Sequence, residues 1–191
     1  MHMQRYLAYI VGVALGDGNL SRPNGRATRL RVTCDAQYPV LAKTIVAALK
    51  KLLPENAVSL IKTPGKDTYF NISVYSNKLN EWLPWKVGAG TKEKQLARVP
   101  EWIRLNPEYS RDCLRGLLQT DGSIYFDRDY LMVNFCNNIQ PLAGDVYFML
   151  QNVGFRPTLT STPTKKGGTK YTVRVARDTQ RLITEIGLFK A

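Results

Sequence analysis

Two aspartates stand in matched settings. Ile10-Val11-Gly12-Val13-Ala14-Leu15-Gly16-Asp17-Gly18 and Leu114-Arg115-Gly116-Leu117-Leu118-Gln119-Thr120-Asp121-Gly122 share one pattern: an apolar run, glycine at the third place and Asp-Gly at the end. The acids are 104 residues apart in a chain of 191. If the two runs are helices packed side by side, Asp17 and Asp121 meet at one end of the pair. Carboxylates meeting in a low-dielectric seam repel unless protonated or bridged by a cation. Mg²⁺ takes oxygen ligands and keeps several waters. One aspartate from each half, the carbonyls of Gly16 and Thr120, and phosphate oxygens would suffice to hold it. Two such ions activate a water and stabilise a leaving 3′ oxygen. Asp-Gly after an apolar helix is also an ordinary cap. Capping, however, does not require the small-residue face that both copies carry.

Composition narrows the chemistry further. The single histidine is His2, which argues against histidine-dependent triads and histidine-rich zinc sites. Cys34, Cys113 and Cys136 have no metal-type spacing. An odd cysteine count and no signal-peptide pattern suggest free thiols in a reducing, intracellular and cytoplasmic setting. No run is long enough to cross a bilayer. Against 15 acidic residues stand 27 Lys and Arg, a net charge of +12. That excess favours a polyanion as partner.

The elements that must position the acids are legible as a repeat. Leu7, Ile10, Val11, Ala14 and Leu15 have helical spacing, and Asp17-Gly18-Asn19 ends that helix. Ala8, Gly12 and Gly16 share one helical face, as do Gly116 and Thr120. Such side-chain-poor faces allow two helix backbones to approach closely. In the first half the pattern predicts a strand over 27–34, a helix from Pro39 to Leu53, strands over 58–63 and 68–75, and a short helix over 77–83. In the second it predicts a helix over 111–121, strands over 123–127 and 130–137, a helix over 141–152, strands over 155–162 and 169–177, and a helix over 179–186. The fold class expected is α+β, with two αββαββα halves, 1–87 and 98–191, joined by a linker at 88–97.

The paired nonamers resemble the LAGLIDADG signature of homing endonucleases, in the single-chain form that carries two copies. Arg98-Val99-Pro100-Glu101-Trp102-Ile103 before the second nonamer is similar to that family's approach to its second motif. The resemblance implies two pseudo-symmetric halves paired at a central two-helix interface, with their strands forming a saddle over DNA. It also implies Mg²⁺- or Mn²⁺-dependent cleavage of both strands at a long site, leaving 3′ overhangs, with Ca²⁺ binding but not supporting cleavage. The expected partner is duplex DNA of about two helical turns, bound by a monomer with no obligate protein partner and no membrane. The family places a lysine near each active site, after the helix that ends each half. Here the resemblance points to Lys94, with Lys92 and Arg98 behind it, and to Lys190. Such a lysine would polarise the attacking water or offset transition-state charge. Family members also carry Gln or Lys where the second strand meets the next helix. This chain has Cys34-Asp35-Ala36-Gln37 and Cys136-Asn137-Asn138 there.

Alternation along the strands supplies a surface for DNA. Arg29, Arg31 and Thr33 share one face; Tyr69, Asn71 and Ser73 share another. Ser123, Tyr125 and Asp127, then Tyr130 and Asn134, then Lys170, Thr172 and Arg174 repeat the pattern, with Arg156, Thr158 and Thr160 extending it. Such side chains suit base edges in a major groove. Arg22, Asn24, Arg26, Lys62, Lys66, Arg128, Lys165 and Lys166 sit at turns, where they would meet phosphates and set register. An RNA maturase or a non-cleaving DNA-binding protein of the same fold is the alternative. A pure binder, though, has no need of acidic tips beside phosphate.

Overall fold

The structure is a computed structural model, and it describes residues 3–23, 25–62, 68–165 and 167–190. Each half begins with a motif helix. In the first half the order is α1 (Met3–Asp17), β1 (Gly18–Ser21), β2 (Arg29–Asp35), α2 (Pro39–Leu52), β3 (Val58–Lys62), β4 (Tyr69–Tyr75) and α3 (Lys78–Trp82). After a one-turn helix, α4 (Glu101–Arg104), the second half runs α5 (Pro107–Thr120), β5 (Gly122–Asp127), β6 (Tyr130–Asn137), α6 (Gln140–Asn152), β7 (Thr158–Pro163), β8 (Thr169–Val175) and α7 (Thr179–Ile186). The chain is thus α+β, with two αββαββα halves. Their antiparallel sheets have the orders β1-β2-β4-β3 and β5-β6-β8-β7.

Local chemistry explains most boundaries. Pro39 and Pro141 lie in the first turns of α2 and α6, where a missing N–H costs nothing. The motif helix of the second half starts earlier than its apolar spacing suggests, at Pro107 rather than Arg111. Asn106 caps it, its side chain accepting from the backbone N–H of Glu108 at 2.9 Å and Tyr109 at 3.2 Å. Strand β1 was not anticipated: it is only four residues long and half-buried, too short to show alternation. β7 begins at Thr158, three residues later than expected, because buried Phe155 and Pro157 first cross the core edge.

Each sheet lays one face on helices and leaves the other open. Leu30, Val32, Ile72 and Val74 point into the core of the first half, and Val133, Phe135, Val173 and Val175 into that of the second. α1 and α5 lie against each other between these layers, and both are buried along most of their length. The strands that start at the motif glycines, β1 and β5, are the sheet edges nearest this helix pair. A Cβ at Gly18 would lie 2.6 Å from Ala14 Cα, and one at Gly122 2.7 Å from Leu118 Cα. Only glycine allows the chain to fold straight back from the helix into the strand. Among the described residues no helix is long and apolar enough to cross a membrane.

Candidate active site

The helix pair packs at backbone distance. A Cβ placed on Gly12 would overlap the Cys113 carbonyl oxygen and stand 3.1 Å from Leu117 N. One on Gly116 would stand 2.7 Å from Val13 N. At the tip, one on Gly16 would lie 2.7 Å from Thr120 Cβ and 3.5 Å from the carboxyl carbon of Asp121. The end of α1 therefore abuts the second aspartate. Ala8 is fully buried on α1, and the Thr120 hydroxyl turns back to the carbonyls of Gly116 and Leu117, at 2.9 and 3.1 Å. The seam also contains polar links that the small-residue face did not announce. Tyr9 Oη donates to Gln119 Oε1 at 2.8 Å, and Arg5 Nε to Asp112 Oδ2 at 2.7 Å.

Both aspartates resist ionisation. The Asp17 carboxyl is raised to about 6, first by desolvation and then by the charge of Asp121, against the opposing pull of Lys92 and Lys190. Asp121 is raised by burial too, but Asn137 Nδ2 donates to its Oδ2 at 2.8 Å and favours the ionised form. The matching place in the first half is different. Val32 pairs with Gly18 as Phe135 pairs with Gly122, so Cys34 stands where Asn137 does. Its thiol is buried and pushed up to about 12, chiefly by desolvation and then by Asp17. Asp35 instead closes its own turn, accepting from Gln37 N at 2.9 Å.

Two ammonium groups complete the cluster. Lys92 Nζ donates to the carbonyls of Ala14 at 3.2 Å, Leu15 at 2.7 Å and also Gly16, while lying 5.4 Å from the centre of the Trp85 ring. A cation here complements the negative end of α1. Lys190 Nζ donates to the Gly122 carbonyl. Burial lowers the pKa of both lysines, while Asp17 and Asp121 raise it. Lys94 is exposed, and the lysine charges that act on Asp17 and Asp121 are those of Lys92 and Lys190. The Gly16 carbonyl, expected as a metal donor, accepts from Lys92. Arg98 is held elsewhere, its Nη2 lying 2.6 Å from Asp145 Oδ1. The choice between Lys92 and Lys94 was hidden in the loop: Gly88 and Gly90, at φ +82° and +96°, turn the chain back by an amount that spacing does not reveal.

The two carboxylates lead the donors near the tips, with the Cys34 thiol beside Asp17 and Cys136 in the cleft beside Asp121. Among the described residues, no group of three or more His, Cys, Asp and Glu side chains is placed to hold a metal. A cleft lined by Thr91, Lys92, Glu93, Asp121 and Asn137 opens beside the second aspartate.

Comparison with known proteins agrees with this architecture. Residues 108–187 match the LAGLIDADG-like domain. The homing endonuclease I-DmoI, in its crystal structure with DNA and Mn, is 22% identical with a TM-score of 0.68, and 97% of each chain is covered. The second half carries a LAGLIDADG-like domain, and the whole chain has the two-halved LAGLIDADG fold. Full-length WhiA from Thermatoga maritima also shares the LAGLIDADG fold, at 13% identity and a TM-score of 0.64, over 99% of this chain and 57% of that one. Among curated proteins, the tRNA-splicing ligase RtcB of Pyrococcus abyssi is 28% identical over 94% of this chain and 21% of its own length. RtcB of Methanopyrus kandleri is 28% identical over 84% of this chain and 18% of its own. The chain thus spans about a fifth of these relatives.

The open faces of the two sheets flank the acidic tips. In the first sheet Arg31 pairs with Ser73, Thr33 with Asn71 and Asp35 with Tyr69, and Thr33 Oγ1 donates to Asn71 Oδ1 at 3.3 Å. Arg29 is partly held by Ser21, its Nε 3.1 Å from Oγ. In the second sheet Thr158, Thr160 and Lys170 are exposed and Thr172 is half-buried. Arg156 precedes β7 rather than lying on it. Asn134, expected to read bases, is only 8% exposed. It donates to Tyr125 Oη at 2.8 Å and accepts from Arg174 Nε at 3.2 Å, so it orients those two side chains. Ser123, Asp127 and Tyr130 are exposed along the β5–β6 hairpin. At its tip Arg128 takes a left-handed φ of +55°. Arg22, Arg26 and Lys165 lie on exposed turns, and exposed Lys62 ends β3. Asn24, Lys66 and Lys166 fall outside the described residues.

Proposed function

We propose that this chain is a site-specific DNA endonuclease of the homing type, cutting both strands of a long duplex target and leaving 3′ overhangs. The observation that carries the reading is the meeting of Asp17, Asp121, Lys92 and Lys190 between two open, basic sheet faces. Two aspartates that resist ionisation beside one another offer carboxylate oxygens that suit a hard divalent cation such as Mg²⁺ or Mn²⁺. Asp17 and Asp121 are the residues that would hold it, and when bound it supplies an activated water and charge for the leaving 3′ oxygen. Lys92 Nζ and Lys190 Nζ bring positive charge to the scissile phosphates. Asn137 orients the Asp121 carboxylate and favours its ionised form against the effect of burial. The strands fix where the duplex lies, through side chains that suit base edges and turns that suit phosphates.

Selection of cleaved sites from a randomised DNA library with Mg²⁺ tests the reading and returns the target. Recovery of one site about two helical turns long is the expected result. Binding without cleavage by the wild type, under Mg²⁺ and Mn²⁺ alike, would favour the non-cleaving alternative, and stimulation of intron splicing in its place would favour a maturase.

A further inference from the structure

Lys190 lies four residues beyond Ile186, the end of α7, in a stretch that belongs to no helix or strand. Something must hold the 187–190 segment against the helix tips. Leu188 contributes by burial and by its backbone bond to Ile183 O at 2.9 Å. The remaining contacts come from one face of α5. The Arg115 side chain approaches Gly187, within 3.9 Å of where a Cβ would stand. One turn further on, Gln119 Nε2 donates to the Phe189 carbonyl at 3.3 Å.

Gln119 is 2% exposed, and both ends of its amide are used. Its oxygen takes the Tyr9 hydroxyl from α1, and its nitrogen holds the residue next to Lys190. Burial pushes the Tyr9 phenol upward, so it remains a donor. An amide buried in a helix seam is costly unless each atom is paired. The matched residues of the other motif show what the seam requires for packing alone: Leu15 stands where Gln119 does, and Cys113 where Tyr9 does. The first half has no polar bridge at this place.

We infer that Gln119, braced by Tyr9 across the seam, is a positioning residue that fixes Lys190 at the Asp121 tip, and that the two cleavage events therefore depend on different supports. The inference rests on the endonuclease reading for its kinetic consequence but not for its structural one. Gln119→Leu copies the residue of the first motif, and it is made together with Tyr9→Phe, which removes the buried hydroxyl it would leave unpaired, so that the seam still packs. Amide hydrogen exchange in metal-free protein is expected to speed up tenfold or more across 188–190 while the cores of α1 and α5 keep their protection. On a duplex labelled on each strand, with Mg²⁺, this double variant is expected to slow the same strand that Lys190→Met slows, by tenfold or more. The other strand should stay within twofold, so that nicked DNA accumulates at unchanged affinity. Unchanged exchange across 188–190 overturns the inference, as does equal slowing of both strands. If the double variant fails to fold, Gln119→Met in place of Gln119→Leu keeps the side-chain length and answers the same question. Wild-type protein that cuts no DNA would remove the endonuclease reading, yet the exchange experiment would still decide whether Gln119 tethers the segment.

Discussion

Neutralising Asp17 should make the metal-free protein more stable at neutral pH. The folded Asp17 carboxyl is raised from 3.8 to about 6, so the fold prefers the protonated acid. The associated stability is fully present below the unfolded pKa and is lost as pH rises from about 4 through about 6. At ~1.4 kcal/mol per pH unit the ceiling is ~3 kcal/mol. Asp17 is exposed by surface area although its carboxyl lies in a crowded, desolvating tip, so solvent screening reduces the expected gain to about 1 kcal/mol. For a chain of this length that is about 2–4 °C in Tm. The measurement is thermal unfolding of wild type and Asp17→Asn in chelator, at pH 4.5 and 7.5. Asp17→Asn should melt higher at pH 7.5, with most of the difference gone at pH 4.5. Mg²⁺ should raise the melting point of the wild type more than that of the variant, because a cation bound to the fold adds stability by mass action. Asp121→Asn should gain less, since Asn137 already favours the charged form of that residue. An equal Tm for wild type and Asp17→Asn at pH 7.5, or a gain that does not shrink on acidification, would refute the reasoning.

Three further outcomes follow from the geometry. Gly12→Ala drives a methyl into the Cys113 carbonyl, and chemical denaturation should show a loss of about 2–3 kcal/mol from forced separation of the helices. Lys92→Met should lower the single-turnover cleavage rate by about 100-fold, a loss of the size seen when one donor aimed at transition-state charge is removed; Lys94→Met should change it by less than twofold, and the reverse order would return the catalytic role to Lys94. Arg128→Gly relieves the left-handed backbone at the β5–β6 turn and should stabilise the metal-free protein by about 1 kcal/mol in thermal unfolding.

The element order was legible because each half repeats the same signals. The strand Tyr130–Asn137 and the helix Thr179–Ile186 lie where alternation and periodicity place them. The two nonamers marked the helix seam because glycine spacing states how closely backbones can approach. What stayed hidden has two physical causes. Short segments such as β1 and α4 lack the length to show a period. Side-chain partnership depends on the third dimension: whether Lys92 or Lys94 faces the acids is set by how the loop at Gly88 and Gly90 turns. Asn134 illustrates the second cause well. Alternation correctly puts it on the open face of β6, but only the fold shows that Tyr125 and Arg174 enclose it there.

Gly18 and Gly122 leave no loop between the acid-bearing turns and the first strand of each sheet. A side chain on β1 or β5 is therefore tied to its aspartate by a few rigid bonds, with no hinge to absorb a shift. The distance from a groove contact to the carboxylate acts as a built-in ruler: one residue inserted after either glycine would displace strand and acid relative to each other by about 3.3 Å, roughly the rise of one base pair.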